Sequence, residues 1–319
     1  MLIYRLPIAR PDETLYSLAG RIRLNNTARC DRDACRSLFG QFLTTHVDKF
    51  PVDLEHFCSV TSGRYGSPHD VLVAHSLTPY FVSLDHAIGK ECGQHTNPLA
   101  ERFSLAHLSN GRSQRWRLCP NCVEREKKQF GVPYWHRQHQ LPGSLMCALD
   151  GTVLYECELP ALRRYNQFLL PNEVMSDRSL NLKLSDECAE ILIELARFNS
   201  AIIFDGLTNR DLRAARSTIL EALADRGLLA KEGRIDHKYL ISDLMQRYRP
   251  LVSLRRFAND LSIGTLNRLA FQFSQNIVTS PKHELLLLFH LFGRWERYQT
   301  KYQWNLVFPI EEEGDQLLR

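Results

Sequence analysis

Near the start of the chain the apolar positions recur at helical spacing. Leu15, Leu18, Ala19 and Ile22 fall at i, i+3, i+4 and i+7, and Asp12 stands where an N-cap is expected. Asn25-Asn26-Thr27 ends this helix, and ACRSLFGQFL predicts a second short one near residue 34. Two short helices around a polar turn suit a helix-turn-helix, and equally the packing of any small helical bundle. PVDLEHFCSVTSG and SPHDVLVAHSLTPYF predict a further pair, the second with Ser67 at the N-cap and Pro68 at the first helical position. Residues 84–115 are polar and irregular, a linker or insertion. From 116 to 160 the pattern shortens into closely spaced cysteines and strand-like apolar pieces such as TVLYE.

After about residue 170 the helical period returns. Ser185 can cap SDECAEILIELARF, with Leu184 as a weak staple against Ala189. TNRDLRAARSTILEALADR, residues 208–226, predicts a long amphipathic helix ended by Gly227, followed by IDHKYLISDLMQRY, SLRRFANDL and GTLNRLAFQF. Ser280-Pro281 opens KHELLLLFHLFGRWERY, apolar nearly all round at first and so expected at the centre of this half's core. The fold class that follows is mainly α: a helix-turn-helix-like region (1–83), a linker or insertion (84–115), a small zinc-ribbon module (116–160), a helical C-terminal domain (170–305) and an acidic tail (306–319). We find no internal repeat and no low-complexity tract.

Composition narrows the picture only a little. At 44% hydrophobic and 24% charged the chain is an ordinary globular one. Its first residues lack the layout of a signal peptide, and no apolar run reaches the roughly 18 residues of a membrane span, so a cytoplasmic location is expected. Nine cysteines are an odd number at irregular spacings, which in a reducing compartment favours metal ligands or core residues over disulfides. A net charge of +4 permits contact with nucleic acid without demanding it.

The candidate chemistry lies in CPNCVEREKKQFGVPYWHRQHQLPGSLMCALDG, residues 119–151. Cys119-x2-Cys122 forms one knuckle and Cys147 opens another, with Gly151 fitting the second turn. Three thiolates leave a tetrahedral zinc one ligand short, and Asp150 stands where a Cys or His would close it. His136, His139 and Cys157 are the alternatives for that place. A structural zinc is expected. The H-x-E…P-C-x-x-C order of zinc deaminases is missing, and His283-Glu284 is followed by Leu287 where a metalloprotease needs its second His. Between the knuckles, Arg125, Lys127, Lys128 and Arg137 interleave with Phe130, Tyr134 and Trp135. This mixture suits phosphates and bases, or, for Tyr134, Trp135 and Leu141, a small core beside the metal.

C-P-N-C, then G-V-P-Y-W-H-R-Q-H-Q-L-P-G, then C-A-L-D-G, in that order, resembles the TniQ/TnsD family of bacterial transposon target-selection proteins. PDETLYSLAGRI, TSGRYGSPHDVLVAHSLTPYF and GLLAKEGRIDHKYLISDLMQRY with KHELLLLFHLFG add to the resemblance, which therefore extends over most of the chain. It implies metal ligation by Cys119, Cys122 and Cys147, with His expected where Asp150 stands. It implies a non-enzymatic adaptor that marks the insertion site and recruits an AAA+ ATPase regulator of transposition. Such adaptors either bind double-stranded DNA directly or ride on a CRISPR RNA-guided surveillance complex. Longer TnsD members continue beyond the point where this chain stops.

A nucleic-acid face is expected in the second half. From Leu207 to Arg256 eleven Lys and Arg stand against six Asp and Glu. Arg210, Arg213 and Arg216 recur every third residue, and Arg234 and Lys238 follow, so these five are the candidates for tracking phosphates. Two other readings compete: a stand-alone sequence-specific DNA-binding regulator with a structural zinc site, and a zinc hydrolase or nuclease working through Asp150.

Overall fold

The computed structural model describes residues 5–26, 30–40, 54–84, 115–158, 168–174, 184–205, 210–229, 235–254, 261–274 and 281–308. The expected 84–115 linker lies outside them except at its two ends, as does the acidic tail beyond Phe308. The fold is mainly helical, as the periodicity predicts.

Four helices open the chain: α1 (Leu15–Asn25), α2 (Asp31–Phe39), α3 (Leu54–Val60) and α4 (Pro68–His75). They bury Leu15, Leu18, Ile22, Leu38, Phe39, Phe57 and Val71 in one core, which they share with Trp116 and Trp135. The α4 start is as the sequence predicts. The Ser67 side chain accepts from the Asp70 amide while the Asp70 carboxylate accepts from the Ser67 amide, with Pro68 in the first turn. The α1 start is different. Thr14 is the N-cap, its hydroxyl accepting from the Ser17 amide, and Asp12 lies two residues outside the helix at φ 62°. A short polar side chain tolerates that left-handed backbone better than most, and the carboxylate is turned inward to another task.

Helix α5 (Thr78–Leu84) leaves this core for the next. Strand β1 (Arg115–Leu118) runs straight into the first cysteine, with α6 (Pro120–Phe130) and the single turn α7 (Arg137–Gln140) behind it. Strand β2 (Tyr155–Glu158) pairs antiparallel with β1, setting Trp116 opposite Cys157. Gln140 locks this ribbon in place. Its side-chain oxygen accepts from the Arg117 amide at 3.0 Å, and its side-chain nitrogen donates to the Arg117 carbonyl at 2.7 Å.

The second half consists of α8 (Asp186–Asp205), α9 (Leu212–Asp225), α10 (His237–Tyr248), α11 (Ile263–Ser274), α12 (Pro281–Phe292) and α13 (Trp295–Val307). Leu285 to Phe289 are each at most 2% exposed, so α12 is the central helix that its all-round apolarity predicts. KHELLLLFHLFGRWERY nevertheless makes two helices. Gly293, at φ 68°, takes the left-handed conformation that ends α12 and turns the chain into α13. From the first half, Leu77, Tyr80, Phe81, Leu141, Leu145 and Met146 are buried in this second core. The Tyr80 hydroxyl donates to Asn199 Oδ1 at 2.9 Å, and Asn199 Nδ2 donates to the Pro142 carbonyl and to Ser144 Oγ.

One buried histidine gives this half a pH signature. His290 on α12 bonds Asp243 of α10 through Nε2 at 2.7 Å, while Arg226 caps the end of α12 through the His290 and Leu291 carbonyls. Burial pushes its pKa down to about 4, against the pull of Asp243 and with help from Arg226 and Arg247. The folded state therefore holds neutral imidazole, while the unfolded chain binds a proton below about pH 6.5. Stability from this site is full above pH 6.5 and is lost as pH falls toward 4, because the unfolded state then binds more protons. In urea melts at pH 6.5 and 4.5, His290→Gln is expected to remove about 2 kcal/mol of the wild-type pH dependence. Parallel profiles for the two proteins would contradict the buried neutral state.

Candidate metal centre

Cys119 follows β1 and is the N-cap of α6, so its side chain sits over the first turn, where Cys122 rises beside it. Its thiolate accepts from the Cys122 backbone amide. The second knuckle is closed by two backbone bonds, Gly151 amide to Cys147 carbonyl at 2.9 Å and Cys147 amide to Thr152 carbonyl at 2.8 Å. Gly151 is required there twice over: its φ is 72°, and a Cβ would stand 3.1 Å from Ile193. Asn121 joins the knuckles through a 2.8 Å bond to the Thr152 hydroxyl.

This packing brings the ligand atoms of Cys119, Cys122, Cys147 and Asp150 within 4.8 Å of one another. The spacing fits a tetrahedral ion: two thiolates each ~2.3 Å from zinc stand about 3.8 Å apart. The sulfurs of Cys122 and Cys147 are 3.7 Å apart, and Cys119 Sγ is 3.7 and 3.8 Å from the two Asp150 oxygens. The three cysteines are buried, with Leu154 beneath them, and Asp150 is exposed. Hydrogen bonds from Cys122 and then Cys147 hold the Cys119 thiol down to about 4, while Cys122 is driven the other way by the same two neighbours. Thiols that share protons in this way release them to a metal. The residue types present and their closeness fit zinc.

Of the alternatives for the fourth place, Cys157 and His136 are engaged elsewhere, while His139 lies against the centre itself. Cys157 is buried in the first core opposite Trp116. His139 is buried against the His136 ring, 4.7 Å between centroids, and it interacts with Cys147 from behind. His136 lies between two carboxylates, Nδ1 3.2 Å from Asp12 and Nε2 2.5 Å from Glu126. Cys122, Glu126 and His136 are also near enough to one another to be read as ligands. The hydrogen bonds already satisfy that histidine, and its pKa rises to about 9; burial opposes the rise, but the bonds to Asp12 and Glu126 prevail. Asp12, misread as a helix cap, is thus the anchor that ties the start of the chain to the metal helix. It also accepts from the Gln138 amide at 3.3 Å.

The interleaved bases and aromatics between the knuckles divide. Trp135 is fully buried, its indole N–H donating to the Leu169 carbonyl at 2.7 Å, and Tyr134 and Leu141 are buried too. Arg137 is buried and donates to the Val73 carbonyl at 2.7 Å, so it is unavailable to a phosphate. Arg125, Lys127 and Lys128 are exposed on α6, and Arg10 lies over the Phe130 ring at 3.7 Å.

The five residues expected at a nucleic-acid face are likewise not one stripe. Arg210 is a correction: it precedes α9, which starts after the Asp211 N-cap, and it is buried in a 2.7 Å ion pair with Glu284. Arg213 and Lys238 are exposed, Arg216 is half-buried, and Arg234 lies outside the described residues. Among the described residues no helix is long and apolar enough to cross a membrane.

The chain is thus a mainly helical protein with a cysteine cluster that could hold a metal beside a two-stranded ribbon. The TniQ family model matches residues 5–154, from the start of the first bundle to the end of the second knuckle, and supports the chain's membership of the TniQ family. TniQ domains are found in transposon target-selection proteins, a family of non-catalytic transposition adaptors. No curated protein matches the chain.

Proposed function

We propose that this chain is a non-enzymatic target-selection adaptor, joining an insertion site to the AAA+ ATPase regulator of transposition. The TniQ match over residues 5–154 is the observation that carries the reading. The metal centre supports it. Three buried thiolates and one carboxylate fill four corners, the arrangement of a structural zinc, whereas a catalytic zinc keeps one corner for water. Zinc held there would cross-link the two knuckles and so fix β1, α6 and the Asp12–His136–Glu126 contact.

With Arg210 withdrawn into the core, Arg213, Arg216, Arg234 and Lys238 are the phosphate-tracking candidates left to the second half. We propose that the specificity comes from a partner, an RNA-guided complex, with this chain adding phosphate contacts. Two measurements test this. Co-elution with the ATPase of the same transposon checks the adaptor role, and its failure would overturn it. Fluorescence anisotropy on an insertion-site duplex and a scrambled one should show equal, weak binding with steep salt dependence. Arg213→Ala should lower the salt slope by about one unit. Clear preference for the site duplex would make this chain a direct reader of DNA instead.

A further inference from the structure

Asp150 changes the charge of the centre. Zinc with three thiolates carries one net negative charge. A neutral histidine in the fourth place leaves that unchanged, whereas a carboxylate makes it two. A nearby cation stabilises a doubly negative centre half inside a protein and weakens the competition of protons with the metal for its thiolates.

The cation is present. Arg125 lies one turn beyond Cys122 on α6, and its Nη2 donates to Cys122 Sγ at 3.1 Å. Exposed cations on α6 also include Lys127 and Lys128, but the i+3 position is the one that returns over the first turn and the sulfur. The geometry points to Arg125, seated on the Cys122 sulfur, as a positioning residue for a carboxylate-closed metal centre: its guanidinium offsets the extra charge that Asp150 brings, so that the two work as a charge pair across the centre. A sequence search for ligands passes over it because it binds no metal itself. Its one signal is the spacing of three from a ligand cysteine.

This rests on the metal-centre reading, and the test separates the two. Zinc affinity is measured by chelator competition, on folded protein checked by circular dichroism, for the wild type, Arg125→Ala, Arg125→Lys, Asp150→His and the double variant Arg125→Ala/Asp150→His. Arg125→Ala is expected to weaken zinc about tenfold, the size typical of removing a partner of a metal ligand. Arg125→Lys, which keeps the charge, should retain affinity within about threefold of the wild type, and in the Asp150→His background the alanine change should cost less than about threefold. Equal losses in both backgrounds, no loss in either, or failure of lysine to rescue would overturn the pairing. Should Arg125→Ala fail to fold with zinc bound, the Asp150→His double variant must fold for the pairing to stand. A wild type that binds no zinc at all overturns the metal centre itself.

Discussion

Cys119→Ser is expected to lose its zinc and to melt at least ~10 °C below the wild type, a loss of several kcal/mol. The reasoning is local. Cys119, Cys122, Cys147 and Leu154 form a small buried cluster with little apolar surface of its own. Without the ion, the knuckles are joined by the Asn121–Thr152 bond and by shared thiol protons, and the free energy of metal binding is folding energy for such a segment. Chelator should bring the wild type down to the same temperature and leave the variant where it is. Metal content by atomic absorption and a thermal melt decide the matter: unchanged values for Cys119→Ser would mean the cluster is no more than core cysteines.

The second large effect belongs to Arg210. Its guanidinium and the Glu284 carboxylate are fully buried at 2.7 Å, with the Tyr298 hydroxyl at 3.2 Å. Burial works against the arginine's charge, and Tyr298 and Glu284 outweigh it, so the group stays protonated. Arg210→Ala removes the charge partner of a buried carboxylate and is expected to cost about 3–5 kcal/mol. Converting both partners, Arg210→Met with Glu284→Leu, should recover most of that loss, since a buried pair replaced by apolar residues is often neutral or stabilising. Chemical denaturation of the three variants is the check. A DNA-contacting arginine would behave differently, losing salt-dependent binding while its stability held.

Local chemistry was readable in the sequence where one turn contains it. Ser67 and Pro68 announce a helix start because cap, proline and acid lie within four residues. The cysteine spacing announces the metal knuckles because a tight turn imposes it. Arg210 misleads for a related reason: a period of three joins it to Arg213 and Arg216 only if the helix has begun, and the Asp211 cap starts it one residue too late. Gly293 sits inside an apolar run whose period continues past it, so only the backbone reveals two helices. Asp12 and His136 lie 124 residues apart. No window along the chain contains both, and a lone aspartate before a helix reads as a cap.

The seam between the two cores is a statement about heredity as much as about packing. The stretch matching the TniQ model ends at residue 154, yet Tyr80, Leu141, Leu145 and Met146 within it are buried among the helices that follow. Tyr80, Asn199 and Ser144 share one hydrogen-bonded knot across that seam. A recombination event at that point would therefore not exchange an independent module. The incoming second half would have to bring its own asparagine and a matching apolar face.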